Sequence, residues 1–370
     1  MRTHPTVRVH IVLLAGLAAL VLGGLFMWSG IYSVAASRGH WALTEWFLTF
    51  VMRNSVKTHA LTIEVPGLDN DDLVALGAAH FLGGCAYCHG APGIPISPIA
   101  QAMLPPPPDL VSDMRPWRDR ELFWIIRNGI KYTGMPAWSA QQRDDEVWAL
   151  TAFVRRLPSL DAAQYRELAL GGLRVPSQSG ESLATSETTA LAIGACARCH
   201  GAERSRPVSS MVPVLHGQPQ AFIVASLEAY SNAHRASGIM QPVARALSND
   251  DFRGVANFYA SLTTPPPPHG SKDASAIERG RIIATNGDPG TRLPACMGCH
   301  GEDALQIYPR LAGQNLPYML NRLRLWKNGL APGTATDTIM APIARALSES
   351  QIEDVAAYYA SHVLPSGRPR

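Results

Sequence analysis

Three copies of one five-residue pattern constrain this chain more than any other feature. "CAYCH" stands at Cys85–His89, "CARCH" at Cys196–His200 and "CMGCH" at Cys296–His300. The chain has six cysteines, so the three copies use all of them. A glycine follows each one: Gly90, Gly201 and Gly301. C-x-x-C-H is the attachment signature of c-type haem. Two thiols must reach the two vinyl groups of one porphyrin, and the adjacent imidazole must meet the iron from the same side. A short turn leading into a helix brings the three groups together. A zinc site would need a second ligand pair close by, but here the pairs lie far apart in the chain and are odd in number. A thioredoxin-like dithiol would need a βαβ setting, and the flanks do not read as strands. The expectation is three covalently bound haem c groups. They attach at Cys85 and Cys88, Cys196 and Cys199, and Cys296 and Cys299, with His89, His200 and His300 as iron ligands.

The motifs begin at 85, 196 and 296, a period near 100 residues. A fixed period marks a repeated structural unit, and further landmarks recur in the same order. Each module has a P-x-L after its haem motif: Pro108–Leu110, Pro213–Leu215 and Pro309–Leu311. A helical run ending near an asparagine follows: "LFWIIRNG", "SLEAYSNA" and "LRLWKNG". Then comes a methionine close to a proline: Met135, Met240 and Met340, lying 46, 40 and 40 residues beyond the histidines of their modules. Iron in an electron-transfer haem is commonly held by His on one face and Met on the other. Gap-filling in a core is the ordinary alternative for a methionine. Three in register favour ligation. Met103, Met114, Met211, Met297 and Met319 share no common position, and His216 and His234 have no counterpart in the third module. Those two histidines read as surface or core residues, and His80 reads as packing on the first helix.

P-x-L offers a role around the iron ligand. A metal-bound histidine usually donates its other ring N–H to a carbonyl, which fixes its orientation. The carbonyls of Pro108, Pro213 and Pro309 are candidates, with a plain turn proline as the alternative. Ser248–Asp251 and Ser348–Gln351 have the form of capping boxes. The apolar stripes after them (Phe252, Val255, Ala256 and Tyr259; Ile352, Val355, Ala356 and Tyr359) have helical spacing, as do Val147, Leu150, Thr151 and Val154. Each stripe is expected to pack on the helix before its haem motif. Arg245 and Arg345, five residues past their methionines, are either propionate partners or solvated charges.

With C-x-x-C-H, P-x-L, the distal Met and a closing helix in that order, each module resembles a class I cytochrome c. Modules two and three resemble tandem dihaem cytochromes c through "P-x-L-x-G-Q", "M-x-P-[VI]-A-R-A-L-S" and "A-x-[FY]-Y-A-S". Module one, with "GIKYTGMPAW", is similar to cytochrome domains attached to haem-copper oxidases and membrane dehydrogenases. Module two departs from the pattern. Its lead-in "SLATSETTALAIGAC" lacks the glycine seen at Gly77 and Gly280, which implies an abbreviated first helix. The fold class implied is all-α, an N-terminal transmembrane helix followed by three tandem class I cytochrome c domains.

Residues 11–37 carry no charge, and about 20 apolar residues span a bilayer. Arg2 and Arg8 precede the run, which favours a cytoplasmic N-terminus. A cleaved signal peptide is the rival, with Val34-Ala35-Ala36 as its site. "WALTEWFLTFVM" follows and suits a membrane interface. The expected organisation is an anchor and interfacial segment over 1–62, cytochrome c domains over 63–158, 187–262 and 276–370, and linkers over 159–186 and 263–275. The location expected is the bacterial inner membrane, single-pass, with the haem domains in the periplasm.

A net charge of +3 with no basic stripe gives no nucleic-acid footprint. The expected function is relay of single electrons between a respiratory donor and a terminal oxidase or other acceptor, which requires no acid, base or nucleophile. Redox partners of the expected kind are a haem-copper oxidase, a quinol-oxidising complex or a dehydrogenase. Two other readings stay open: a cytochrome subunit of a membrane quinoprotein or flavoprotein dehydrogenase, and a cytochrome c peroxidase with one open iron site.

Overall fold

The computed structural model describes residues 5–112, 116–171, 188–203, 205–266, 273–301, 304–330 and 335–362. Residues 172–186 and 267–272 of the expected linkers, residue 187 at the start of the second domain, and the discounted Met114 lie outside the described residues. The described residues form helices and turns without a β-strand; the nearest approach is two isolated bridges, Ala91 with Ile94 and Asp288 with Leu293.

Helix α1 (Pro5–Ser29) carries the uncharged run and is long and apolar enough to cross a bilayer, with none of its Val9–Ser29 stretch buried. Helix α2 (Ala42–His59) follows. Its first half exposes Leu43, Trp46, Phe47 and Phe50, whereas Val56 near its end is buried. That end docks on α5 (Asp119–Asn128), where the His59 ring lies 5.7 Å from Trp124.

Each module is built on a crossing of two helices. In module one α3 (Asp71–Gly84) packs against the closing helix α6 (Asp144–Arg156). The backbones come so close that a Cβ on Gly77 would lie 2.2 Å from the Ala149 carbonyl oxygen. In module three α12 (Ala274–Asn286) crosses α16 (Glu349–Ser361) in the same way, with Gly280 against the Asp354 carbonyl at 2.0 Å. Only glycine fits such a contact. Module two has α8 (Thr188–His200) against α11 (Asn249–Ser261). Here the first helix runs straight through the haem motif. In module one it is interrupted at Cys85, before α4 (Ala86–His89), and in module three a ten-residue loop separates α12 from α13 (Met297–His300).

The closing helices start as their sequences suggest. Ser248 accepts from the Asp251 N–H and Ser348 from the Gln351 N–H, and both boxes are reciprocal. The stripes Val147, Leu150, Thr151 and Val154, Phe252, Val255, Ala256 and Tyr259, and Ile352, Val355, Ala356 and Tyr359 are all buried. The segment expected as a linker from 159 behaves differently. Asp161 and Gln164 form a capping box that opens α7 (Ala162–Leu170), and Gly171, at φ 57°, closes it. Tyr165 and Ala169, one helical turn apart, are fully buried in the first core against α3. The packed unit around the first haem motif therefore extends to residue 170.

Modules two and three each add a further pair: α9 (Gln220–Ser231) and α10 (Met240–Arg245) in module two, and α14 (Leu316–Lys327) and α15 (Ala335–Ala346) in module three. They stand in equivalent places: the two helices of each pair pack on each other, and the longer-range contact of α9 and α14 is with the closing helices α11 and α16.

Candidate functional site

The three haem-motif histidines share one geometry. Nδ1 of His89 lies 3.0 Å from the Pro108 carbonyl oxygen, Nδ1 of His200 lies 3.0 Å from that of Pro213, and Nδ1 of His300 lies 2.8 Å from that of Pro309. A carbonyl can only accept, so Nδ1 carries the proton in each ring and Nε2 is left with its lone pair. That is the tautomer a metal ligand requires. Burial lowers the pKa of all three rings, against a smaller opposing effect of the proline carbonyl, so they stay neutral. The P-x-L expectation holds in all three modules.

The cysteines are half-buried, except Cys196, which is buried. Burial, then the neighbouring thiol, pushes Cys85 and Cys196 up to about 12. Among the described residues no group of three His, Cys, Asp or Glu side chains is placed to hold a metal ion.

Modules two and three open into one shared cavity of about 620 Å³. Cys196, Cys199, His200 and Met240 line it from one side, and Cys296, Cys299, His300 and Met340 from the other. The methionines singled out by sequence thus face the same space as the histidines of their modules. The wall between them is largely apolar, with Leu215, Phe222, Ile223, Leu323 and Val355 among its residues. A flat, apolar macrocycle tethered at the paired thiols fits such a space. Met135 is half-buried on a tight loop of module one, where Ile130 N–H donates to the Met135 carbonyl and Thr133 Oγ1 accepts from the Met135 N–H.

The rival histidines divide. His216 is 1% exposed under the edge of Tyr259 and is a core residue, whereas His234 is exposed and lines the shared cavity. His80 does not simply pack on its own helix: its ring meets Trp138 edge-on at 4.9 Å and reaches the shared cavity. Arg245 and Arg345 are both exposed, and Arg245 donates to the Ser231 carbonyl. The arginines that line the cavity are instead Arg143 of module one and Arg235, Arg310 and Arg322, which sequence reasoning passed over. Arg235 lies over the Tyr230 ring and Arg322 over Trp326. They stand at unmatched offsets in their modules, so no repeat signals them.

Module one closes the cavity from outside. Glu146, 3% exposed, accepts from Ser237 Oγ at 2.6 Å and from the Gly238 N–H at 2.7 Å. Arg143 pairs with Glu146 at 3.0 Å and donates to the Ala236 carbonyl. Asn321 of module three donates to Asp145. A single turn of α6 therefore grips the loop before Met240 and touches module three as well.

An all-helical chain that presents neutral, carbonyl-oriented histidines beside paired cysteines is built for covalent haem and electron transfer. Comparison with known proteins agrees. The family model described as "Cytochrome C oxidase, cbb3-type, subunit III" matches residues 72–154, and the model described as "Cytochrome c" matches residues 277–362. A cytochrome c-552 of Acidithiobacillus ferridurans is 36% identical over 172 residues, which is 45% of this chain and 73% of that protein. A protein described as thiosulfate dehydrogenase electron acceptor in Stutzerimonas stutzeri is 29% identical, over 51% of this chain and 88% of its own length. The solved cytochrome c4 of Acidithiobacillus ferrooxidans aligns at 34% identity with a TM-score of 0.41, over 45% of this chain and 98% of that one. The chain belongs to the class I c-type cytochromes: it is an electron-transfer cytochrome whose domains are of the kind that carry haem c.

Proposed function

We propose that this is a membrane-anchored periplasmic cytochrome with three haem c groups, relaying single electrons between a respiratory donor and a terminal oxidase or another acceptor. The observation that carries the reading is the threefold hydrogen bond from the haem-motif histidine to the P-x-L proline, at 3.0, 3.0 and 2.8 Å. One such contact could be a turn; three alike prepare three imidazoles for one task. Haem c supplies a one-electron ferric–ferrous couple when bound. The paired cysteines hold it covalently. His89, His200 and His300 would offer Nε2 to the iron, and Met135, Met240 and Met340 would offer it a thioether. A thioether there favours the reduced iron and raises the potential. Arg235, Arg310 and Arg322 are placed to meet propionates in the shared cavity. Helix α1 anchors the chain and α2 lies at the interface, holding module one near the membrane.

A partner of the dehydrogenase class is the second reading. The relative described as a thiosulfate dehydrogenase electron acceptor favours it, since a dehydrogenase would deliver electrons to the same relay.

The test is a haem count. Alkaline pyridine haemochrome absorbance against chain concentration should give three haems per chain, and the intact mass should carry three covalent porphyrins. A count of two, or an unmodified Cys85–Cys88 pair, overturns the three-haem reading.

A further inference from the structure

We infer that Gln218 and Gln314 are positioning residues, each setting the donor strength of the haem-motif histidine in the opposite module. The inference rests on the haem reading above and goes beyond it. Gln314 of module three accepts from the Val214 N–H of module two at 2.8 Å and donates to the Val214 carbonyl at 3.1 Å. Gln218 of module two accepts from the Arg310 N–H of module three at 2.9 Å and donates to the Arg310 carbonyl at 2.8 Å. The two contacts are mirror images across the module boundary. Both amides are buried, at 5% and 6% exposure.

Where these amides land matters. The Val214 N–H belongs to the same peptide unit as the Pro213 carbonyl, which accepts from His200. The Arg310 N–H belongs to the same peptide unit as the Pro309 carbonyl, which accepts from His300. Each module therefore contains a three-part chain: imidazole N–H to proline carbonyl, through the peptide, and peptide N–H to the other module's glutamine oxygen. Hydrogen bonds in such a chain polarise one another. An acceptor on the peptide N–H enriches the carbonyl in electron density. The carbonyl then holds the imidazole proton more strongly, and the ring becomes a more basic ligand. A more basic ligand favours ferric iron, so each glutamine lowers the potential of the haem across the boundary. An interface amide serving only as glue has no reason to meet that particular peptide twice. Module one has Asp113 instead of glutamine at the same offset from its proline; its wave, in a module that neither glutamine substitution touches, serves as the internal reference.

The test uses the full chain with all haems attached, titrated spectropotentiometrically. Met240→His and Met340→His each carry one wave to low potential and so assign modules two and three. Gln314→Leu should raise the module-two wave alone, and Gln218→Leu the module-three wave alone. At a fixed ambient potential the ferrous-to-ferric ratio should rise roughly threefold to tenfold, tenfold being 59 mV for a one-electron couple. Waves that stay put, that shift in the substituted module itself, or that shift together in both variants overturn the inference. A merely loosened interface gives the last pattern. If neither marker variant displaces a wave, the methionine-ligation reading fails, and the inference falls with it.

Discussion

The indole of Trp138 occupies the space a side chain on Gly238 would need: a Cβ there would lie 2.2 Å from the ring. Trp138 lies three residues after Met135, and Gly238 two residues before Met240. The methionine loops of modules one and two are therefore packed on each other, and the Trp138 indole N–H donates to the same Glu146 that binds the Gly238 N–H. Gly238→Val should displace the indole and destabilise the protein by about 1–3 kcal/mol, the usual cost of overpacking. Trp138→Ala in the same chain should relieve most of that cost. A double-mutant cycle in chemical denaturation measures the coupling; independent, additive effects would mean that the two loops do not meet.

Glu146 is the charged centre of that contact. Its carboxylate satisfies Ser237, Gly238 and Trp138 and faces Arg143, which is itself largely buried. Arg143 keeps a second carboxylate, since it also donates to both oxygens of Asp145, but removing Glu146 leaves the buried Ser237 hydroxyl and Gly238 N–H without their acceptor, at about 1–3 kcal/mol for each. Glu146→Ala should therefore cost far more than Glu167→Ala, an exposed position. Equal midpoints for the two variants in a denaturant titration would contradict the role given to Glu146.

His80 makes the same boundary sensitive to acid. Burial, and then the positive charge of Arg198 in module two, lowers its pKa from 6.5 to about 4. The unfolded chain binds a proton on this ring as pH falls through 6.5, but the folded chain does so only near 4. The unfolded state therefore holds more protons in that window, and stability must fall with pH across it. The contribution is complete above 6.5 and is lost progressively towards 4. His80→Phe should flatten this part of the stability–pH curve while leaving the region above neutrality nearly unchanged. The measurement is melting temperature against pH for both proteins, and parallel curves would rule the mechanism out.

The proposed methionine ligands separate in a similarly direct way. Met135→Ala, Met240→Ala and Met340→Ala should each remove an equal share of the sulfur–iron charge-transfer absorption of the oxidised protein and lower the potential of one haem. Met319→Ala, in the core of module three, should leave that band intact while costing stability as other buried truncations do. A band unaffected by Met135→Ala would single out module one as the haem with another sixth ligand.

Repetition decided what could be read from the sequence. The haem motifs, the P-x-L acceptors and the two serine capping boxes recur at fixed offsets, and each recurrence reflects a short-range geometry that one module can build alone. Contacts between modules have no such period. Nothing in the offset of Trp138, Glu146 or Gly238 announces that they meet, because the meeting depends on how two modules dock. Helix α7 escaped for a related reason. Its Asp161–Gln164 capping box was visible in principle, but its few apolar residues gain meaning only when Tyr165 and Ala169 reach α3. Repetition also left one choice open. Arg245 and Arg345 share an offset that suits either propionate partners or solvated charges, and both are exposed, whereas the unmatched Arg235 and Arg322 line the cavity.

Helix α2 carries the last prediction. Trp41 and Trp46 are 53% and 61% exposed, in a stretch with Leu43, Phe47 and Phe50 also exposed, while the far end of the helix is fixed to module one through Val56 and the bond from Arg120 to the Leu61 carbonyl. An apolar, aromatic half-helix that follows a bilayer-length helix after a short connection suits the interface, where tryptophan is favoured. In vesicles whose lipids carry bromine near the headgroup end of the acyl chains, fluorescence from the full chain should be quenched, and Trp46→Phe should reduce the quenchable part. Bromine at the chain ends should quench Trp46 less, because an interfacial helix lies only about 5–10 Å into the boundary. Equal quenching from both bromine depths would place α2 across the membrane, and no change on substituting Trp46 would remove it from the membrane altogether.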